Sequence, residues 1–216
     1  MTSEISAATS AVSAAGRRLG PDARRGQLVA AGLELVKTVP YPEVSADDVA
    51  RAAGVSKALV FHYFPTTRDL HVAILRAAAA ELLVRLDVDP KLPPDQKLRA
   101  GLEAFVAHIE QQPAGYLAVA RSAGADEQLL AVFEDTRAGV VEIVGRSLGL
   151  TVVPPGLRIA IRGWIAMVEE SVLHWLEDRP VPRHQLVDFL QKAALTMLPN
   201  ALTLGQPLTR RGPGDS

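Results

Sequence analysis

The sequence lacks several features that would assign it to common protein classes. It has 216 residues and no cysteine, which excludes disulfide bonds, thiol nucleophiles and cysteine-ligated metal sites. No apolar run approaches the roughly 20 residues that a membrane-spanning helix needs. Residues 1–16 have neither a basic start nor a leucine-rich core, so they do not resemble a signal peptide. We therefore expect a cytoplasmic protein without membrane contacts.

Motifs of common enzyme classes are also absent. The sequence has no HExxH, GxSxG, Walker or glycine-rich dinucleotide motif. His108, His174 and His184 do not have the spacing of metal ligands. An enzyme is therefore not expected, and neither a metal nor a cofactor is predicted.

Charge is balanced over the whole chain but not along it. The formal net charge is −1. Residues 17–76 contain nine Lys and Arg against six Asp and Glu, a net charge of +3 that leaves −4 for the remainder. This small asymmetry has the sign expected of a DNA-binding head on a larger body.

The most informative stretch is residues 44–70, VSADDVARAAGVSKALVFHYFPTTRDL. Ser45 is a typical helix N-cap, and Gly54 tolerates the left-handed conformation that ends a helix. Ser56 then caps a second helix, which we expect to run from about 57 to 64. Two helices joined by a short glycine-containing turn form a helix-turn-helix, whose second helix enters the DNA major groove.

This stretch resembles the N-terminal domain of the tetracycline-repressor (TetR) family of transcription regulators. The resemblance is carried by LVAAGLELV at 28–36, by the AGVS turn and FHYF run within 44–70, and by the alanine-rich helix that follows. It implies an all-α fold of about nine helices, with an N-terminal three-helix helix-turn-helix domain before a helical ligand-binding and dimerisation domain. It also implies that the partner is double-stranded operator DNA.

The second helix of the motif, which is called the recognition helix, and its neighbours supply the candidate DNA contacts. Lys57 lies at the N-terminal end, where it could donate to guanine or bind a phosphate. Leu59 could meet a thymine methyl or a neighbouring side chain, whereas Val60 and Phe64 are expected to pack inward. In relatives the aromatic pair at the positions of His62 and Tyr63 contacts backbone phosphates. The predicted DNA-binding residues are Ser45, Ser56, Lys57, Ala58, Leu59, His62, Tyr63, Thr67 and Arg68.

Two positions depart from the family pattern. Phe61 stands where relatives have a tyrosine whose hydroxyl donates to a phosphate. Thr67 stands where relatives have a lysine, and Arg68 beside it is expected to supply the missing charge. These departures leave open an alternative function, a helical protein-interaction adaptor with a degenerate DNA head.

Breaks in the helical pattern divide the chain. Residues 1–20 are rich in Ala, Ser and Thr, and prolines and aspartates mark a linker at 87–95. The predicted order is a disordered tail at 1–20, a helix-turn-helix domain at 21–66, a connecting helix at 67–86 capped by Thr67, a ligand-binding and dimerisation domain at 95–200 and a disordered tail at 205–216. Beyond the linker, apolar spacing predicts helices at 95–112, 113–122, 125–148, 157–177 and 183–198.

The last two predicted helices, about 157–177 and 183–198, carry apolar residues on more than one face. In the first of them, Gly163, Met167, Glu170 and His174 recur at helical spacing beside the main apolar stripe. A helix buried on two sides needs two partners, and a second copy of the same helices can supply one of them. The pattern predicts a homodimer through these helices.

The family resemblance implies a pocket in this C-terminal body whose ligand controls DNA affinity. The body is apolar and aromatic and lacks a basic cluster, so we predict a small hydrophobic effector. Ordinary core packing remains the alternative for each aromatic residue. The candidate ligand-binding residues are Phe105, His108, Ile109, Tyr116, Arg121, Phe133, Trp164 and Met167. The leading interpretation is a dimeric, ligand-responsive regulator, with repression as the favoured mode.

Overall fold

The computed structural model describes residues 20–111, 116 and 126–201, and this part of the chain is helical with no strand. The helices are α1 (Pro21–Leu35), α2 (Ala46–Ala53), α3 (Lys57–Tyr63), α4 (Thr67–Leu86), α5 (Pro94–Gln111), α6 (Glu127–Ser147), α7 (Pro155–Asp178) and α8 (Arg183–Ala201), with a 3-10 turn at Tyr41–Glu43. The all-α prediction is confirmed. The predicted helix at 113–122, apart from Tyr116, lies outside the described residues, as do residues 1–19 and 202–216.

Local side-chain caps define the helix-turn-helix. The Ser45 hydroxyl accepts a hydrogen bond from the Asp48 amide at 3.2 Å, and the Asp48 carboxylate accepts one from the Ser45 amide at 3.2 Å. Gly54 has φ 66°, in the left-handed region, and ends α2. Ser56 accepts from the Leu59 amide at 3.2 Å and starts α3. The predicted caps are confirmed, and α3 ends at Tyr63 with Phe64 as its C-cap.

The cap predicted at Thr67 is wrong by one residue. Thr66 is the N-cap of α4, because its hydroxyl accepts from the Asp69 amide at 3.1 Å while Asp69 accepts from the Thr66 amide at 3.0 Å. Asp69 follows Thr66 by three positions, the spacing that a reciprocal capping box requires. Thr67 is therefore the first residue of the helix.

Three groups of buried side chains hold the helices together, and α4 contributes to all three. Val60 and Phe64 of the helix-turn-helix point inward, as predicted, and are 0% and 1% exposed. The N-terminal cluster includes Leu28, Val44, Val49, Val60, Phe64, Leu70 and Ile74. The C-terminal cluster includes Leu82, Leu102, Val106, Val141, Leu157, Ile161, Val172 and Leu190. A smaller cluster of Val72, Leu129 and Val132 joins α4 to α6.

Helix α4 is thus the mechanical connection between the helix-turn-helix and the helices beyond residue 94. Each fully buried Leu, Ile or Val stabilises the fold by about 1.5–3 kcal/mol through apolar transfer from water. A displacement of α4 therefore disturbs packing at both ends. None of the described helices has the length and apolar composition needed to cross a membrane.

Candidate functional site

The surface of α3 is built around its exposed N-terminal end. Ser56, Lys57 and Ala58 are exposed there, and His62 is exposed one turn later. We call these four residues the recognition surface. Leu59 is only partly exposed, so both of its predicted roles stay open. The arrangement presents one cation and two small residues at the end of the helix that can reach base edges.

Lys57 already has a partner within the chain. Its ammonium lies 2.6 Å from the Asp47 carboxylate, and both side chains are 52% exposed. The same ammonium lies 6.0 Å from the centre of the Phe61 ring. An exposed ion pair of this kind is weak and readily exchanged. A phosphate or a guanine can therefore replace Asp47.

The other predicted contacts differ in how free they are. Ser45 is engaged in its capping box with Asp48, which satisfies the hydroxyl. Tyr63 is partly buried against the N-terminal cluster, and its ring lies 5.2 Å from that of His62 in an edge-on arrangement. Thr67 is exposed at the start of α4. The structure thus leaves the hydroxyl of Ser45 the least available of these groups.

Arg68 makes a two-pronged contact with the start of α6. Its Nε and Nη2 atoms donate to the Asp126 carboxylate at 3.0 and 2.6 Å. Asp126 is the N-cap of α6, and it also accepts from the amides of Gln128 at 2.9 Å and Leu129 at 3.2 Å. The guanidinium, followed by the Leu129 amide, lowers the pKa of Asp126 to about 2. Asp126 is therefore charged at any physiological pH.

A cavity of about 390 Å³ lies among α4, α5, α6 and α7. Six of the eight predicted ligand-binding residues line it, namely Phe105, His108, Ile109, Tyr116, Phe133 and Trp164. Met167 packs against the C-terminal cluster instead. Arg121 lies outside the described residues.

The cavity also reaches residues that the sequence analysis missed. Leu33, Val36 and Tyr41 come from the helix-turn-helix region and form part of the wall. Ala78 and Ala79 of α4 line it as well, and their small side chains leave room that larger residues would fill. The alanine run at 77–80 was the sequence signal for this cavity. The wall is therefore shared between the N-terminal region and the C-terminal helices.

Arg137 and Glu169 of the cavity wall are paired with each other. Arg137 donates to Glu169 at 2.6 Å and to Glu134 at 2.8 Å. Glu134 also accepts from Arg162. The Glu169 hydrogen bond is the main reason that the pKa of Arg137 is raised, so its charge is permanent.

Two further polar groups in the wall are uncharged at neutral pH. Burial lowers the pKa of His108, and the Arg85 guanidinium, 3.1 Å from its Nδ1 atom, lowers it further. Burial also raises the pKa of Tyr116, with the Glu169 charge as a second cause. Tyr116 can therefore donate a hydrogen bond to a ligand, and His108 can face one as a neutral ring.

Tyr41 is unusual among the described residues. Its hydroxyl is the buried side-chain oxygen that has no hydrogen-bond partner among them. Its ring lies 4.9 Å from the ring of His71, whose Nε2 atom is 2.7 Å from the Val44 carbonyl oxygen. Burial and, secondarily, the charge of Asp126 raise the pKa of Tyr41. The phenol therefore stays protonated in the cavity wall.

Comparisons with known proteins match both parts of the chain. The family described as bacterial regulatory proteins, tetR family, matches residues 28–74. A tetracyclin repressor-like C-terminal domain matches residues 94–197.

Individual proteins show the same likeness. The transcriptional activator FasR of Mycolicibacterium smegmatis is 30% identical over 181 residues, covering 80% of this chain and 82% of that protein. The regulator EthR of the same organism is 29% identical over 100 residues, covering 43% of this chain and 44% of EthR. A crystal structure of a tetR-family regulator from Streptomyces coelicolor has a TM-score of 0.70 at 27% identity, covering 86% of this chain and 90% of that one.

Three findings indicate the same family: the exposed helix α3, the family matches in both parts of the chain, and the similarity to FasR over most of both chains. The helix-turn-helix accounts for DNA binding, and the relatives named above are regulators and not enzymes. The chain therefore belongs to the TetR family of DNA-binding transcription regulators.

Proposed function

We propose that this protein is a dimeric repressor that a small hydrophobic effector releases from its operator. The proposed DNA head is 21–66, joined by a connecting helix at 67–86 to a ligand-binding and dimerisation domain at 95–200. Such a regulator would act in the cytoplasm, where its DNA is. The observation that carries this proposal is the cavity wall, because residues of the head and of α4 both contribute to it.

We infer that an effector acts by moving α4 relative to the head. A ligand that fills the cavity contacts Ile74 and Leu82 of α4, which are also buried in the N-terminal and C-terminal clusters, respectively. Closely packed interfaces shift between discrete arrangements more readily than they deform continuously. Ligand binding can thus alter the distance between the two recognition helices of a dimer. DNA binding requires that this distance match the spacing of the operator half-sites.

Release of DNA by a lipophilic compound tests this function. Fluorescence anisotropy would follow a labelled duplex from the region upstream of the protein's own gene. Compounds that raise the thermal unfolding midpoint should also raise the apparent dissociation constant for this duplex, since a ligand that binds only the folded state stabilises it by mass action. Trp164 lies in the cavity wall, so its fluorescence should change on binding. If only sugars, nucleotides or metal ions stabilise the protein, the hydrophobic effector is wrong.

The proposed dimer rests on an exposed stripe along α7 and on an exposed apolar side chain of α8. Ile159 is 70% exposed, and Gly163 and His174 follow on the exposed side of α7. Phe189 of α8 is 57% exposed. Exposed large apolar side chains on two adjacent helices support a protein interface at this surface.

Gly163 offers a direct test of the dimer. A Cβ atom added there meets nothing within 4 Å in the single chain, and Gly163 is exposed, so Gly163→Arg should fold normally. In a dimer through α7 it would place a charge in the interface, and analytical ultracentrifugation should then report a monomer. Gly26→Arg is the matched control, because Gly26 is equally unobstructed but lies in α1. A dimer that survives Gly163→Arg would contradict this interface.

Activation is the second candidate mode. FasR, which is similar to this chain over most of its length, is named a transcriptional activator. Transcription in vitro from the bound promoter distinguishes the two modes. Added protein should lower transcript yield if it represses and raise it if it activates.

A further inference from the structure

The contact between Arg68 and Asp126 joins parts of the chain that have different tasks. Arg68 lies in the first turn of α4, five residues after the end of α3. Asp126 is 58 residues away in sequence and caps α6. The pair is oriented by two hydrogen bonds, and the side chains are 55% and 23% exposed. This geometry holds the guanidinium in one direction, since a two-pronged arginine contact fixes both distance and plane.

A guanidinium held by two hydrogen bonds from its Nε edge cannot offer that edge to a phosphate at the same time. Arg68 is one of the proposed DNA contacts, and in this structure that edge faces a carboxylate. Phosphate and carboxylate groups both accept two parallel hydrogen bonds from a guanidinium. A phosphate that binds through this edge therefore competes with Asp126 for Arg68.

We propose that Asp126 is a positioning residue that sets DNA affinity by competing with a backbone phosphate for Arg68. This inference rests on the proposed role of Arg68 in DNA binding. Asp126 withholds the Nε edge of the guanidinium in the free protein, and a phosphate that binds this edge displaces the carboxylate.

The same carboxylate also connects this competition to the cavity. Asp126 starts α6, and Val132, Phe133 and Thr136 of that helix line the cavity. Val132 also packs against Val72 of α4, in the smaller cluster that joins the two helices. A ligand that shifts α6 relative to α4 changes the geometry of the Arg68–Asp126 contact. Its effect on DNA affinity therefore passes in part through the availability of Arg68.

Asp126→Asn removes the negative charge of this residue and keeps its helix cap. Asparagine caps helices as well as aspartate does, so the amides of Gln128 and Leu129 keep an acceptor. The variant loses only the charge that holds Arg68. Exposed ion pairs have modest strength, so operator affinity should rise by about two- to fivefold. Asp126→Ser, which also caps, should give a similar rise and guards against an unfolding artefact.

Glu127→Gln is the matched control for a change of net charge. Glu127 is the next residue, is exposed, and acts on Arg68 through its charge, whereas Asp126 also holds Arg68 by two hydrogen bonds. Its loss should raise affinity less than Asp126→Asn does. Circular dichroism melting of each variant should confirm that all of them remain folded at the assay temperature.

The decisive measurement is a double-mutant cycle in fluorescence anisotropy over a salt series. Arg68→Gln should lower operator affinity and reduce the salt slope by about one. In that background Asp126→Asn should raise affinity no more than Glu127→Gln does, because Asp126 then has no guanidinium to withhold. Binding of the wild-type protein to its operator reports separately on the proposed function.

Three outcomes would overturn the inference while wild-type DNA binding stands. An unchanged affinity for Arg68→Gln would mean that Arg68 is not a DNA contact. A rise for Asp126→Asn that keeps its full size in the Arg68→Gln background would assign the effect to general electrostatics. A fall in affinity for Asp126→Asn would mean that the carboxylate aims Arg68 at DNA rather than withholding it.

Discussion

Two glycines of α1 provide a matched test of how the head packs against α4. A Cβ atom at Gly32 would lie 2.7 Å from Ile74 Cγ1, and closer still to Ile74 Cδ1. A Cβ atom at Gly26, in the same helix, would meet nothing within 4 Å. Alanine at position 32 must therefore displace Ile74, whereas alanine at position 26 displaces nothing.

The magnitudes follow from two opposing effects. Replacing glycine by alanine inside a helix contributes about 0.8–1.0 kcal/mol of stability. Overpacking a tight contact costs about 1–3 kcal/mol. Gly26→Ala should therefore raise the free energy of unfolding by up to about 1 kcal/mol, while Gly32→Ala should leave it unchanged or lower it by up to about 2 kcal/mol. The difference between the two variants, in which helix propensity cancels, is the overpacking cost of about 1–3 kcal/mol.

Urea unfolding followed by circular dichroism at equal protein concentration measures this difference. Adding Ile74→Val to Gly32→Ala removes Cδ1, the closest atom, and should recover part of the loss. Ile74 also lines the cavity, so Gly32→Ala should weaken effector binding, whereas Gly26→Ala should not. If both glycine variants stabilise the protein equally, the close approach of α1 to α4 is refuted.

Three further predictions concern single side chains. In the wild-type protein the buried Trp164 indole donates a hydrogen bond to the Leu190 carbonyl oxygen at 3.1 Å. Trp164→Phe removes this donor and should lower the free energy of unfolding in urea by about 1–3 kcal/mol. Lys57→Ala should leave the unfolding midpoint nearly unchanged, since its pair with Asp47 is exposed, yet weaken operator binding more than binding to scrambled DNA; equal losses on both would reassign Lys57 to a phosphate. The stability difference between wild type and Asp126→Asn should be constant between about pH 5 and 8 and should shrink as pH falls toward 2. The reason is that stabilisation from a lowered folded-state pKa is complete above the unfolded-state pKa and is lost as pH falls through the folded-state pKa.

The helix-turn-helix could be predicted closely because its determinants are local. A cap involves residues within about three positions of each other, and a glycine turn involves one backbone conformation. Ser45, Gly54 and Ser56 therefore marked their helix ends correctly. Thr66 was missed in favour of its neighbour Thr67, since either threonine can cap, and only the reciprocal bond from Asp69 decides between them.

Contacts between distant residues could not be predicted in this way. The sequence marked Phe105 and Trp164 as apolar residues on helix faces, but not that Tyr41 and Val36 from the head share a cavity with them. It marked Arg68 as a DNA contact, but not that a carboxylate 58 residues away holds it. Helix periodicity shows which face of a helix is buried, whereas the packing of helices against each other determines which residues that face meets.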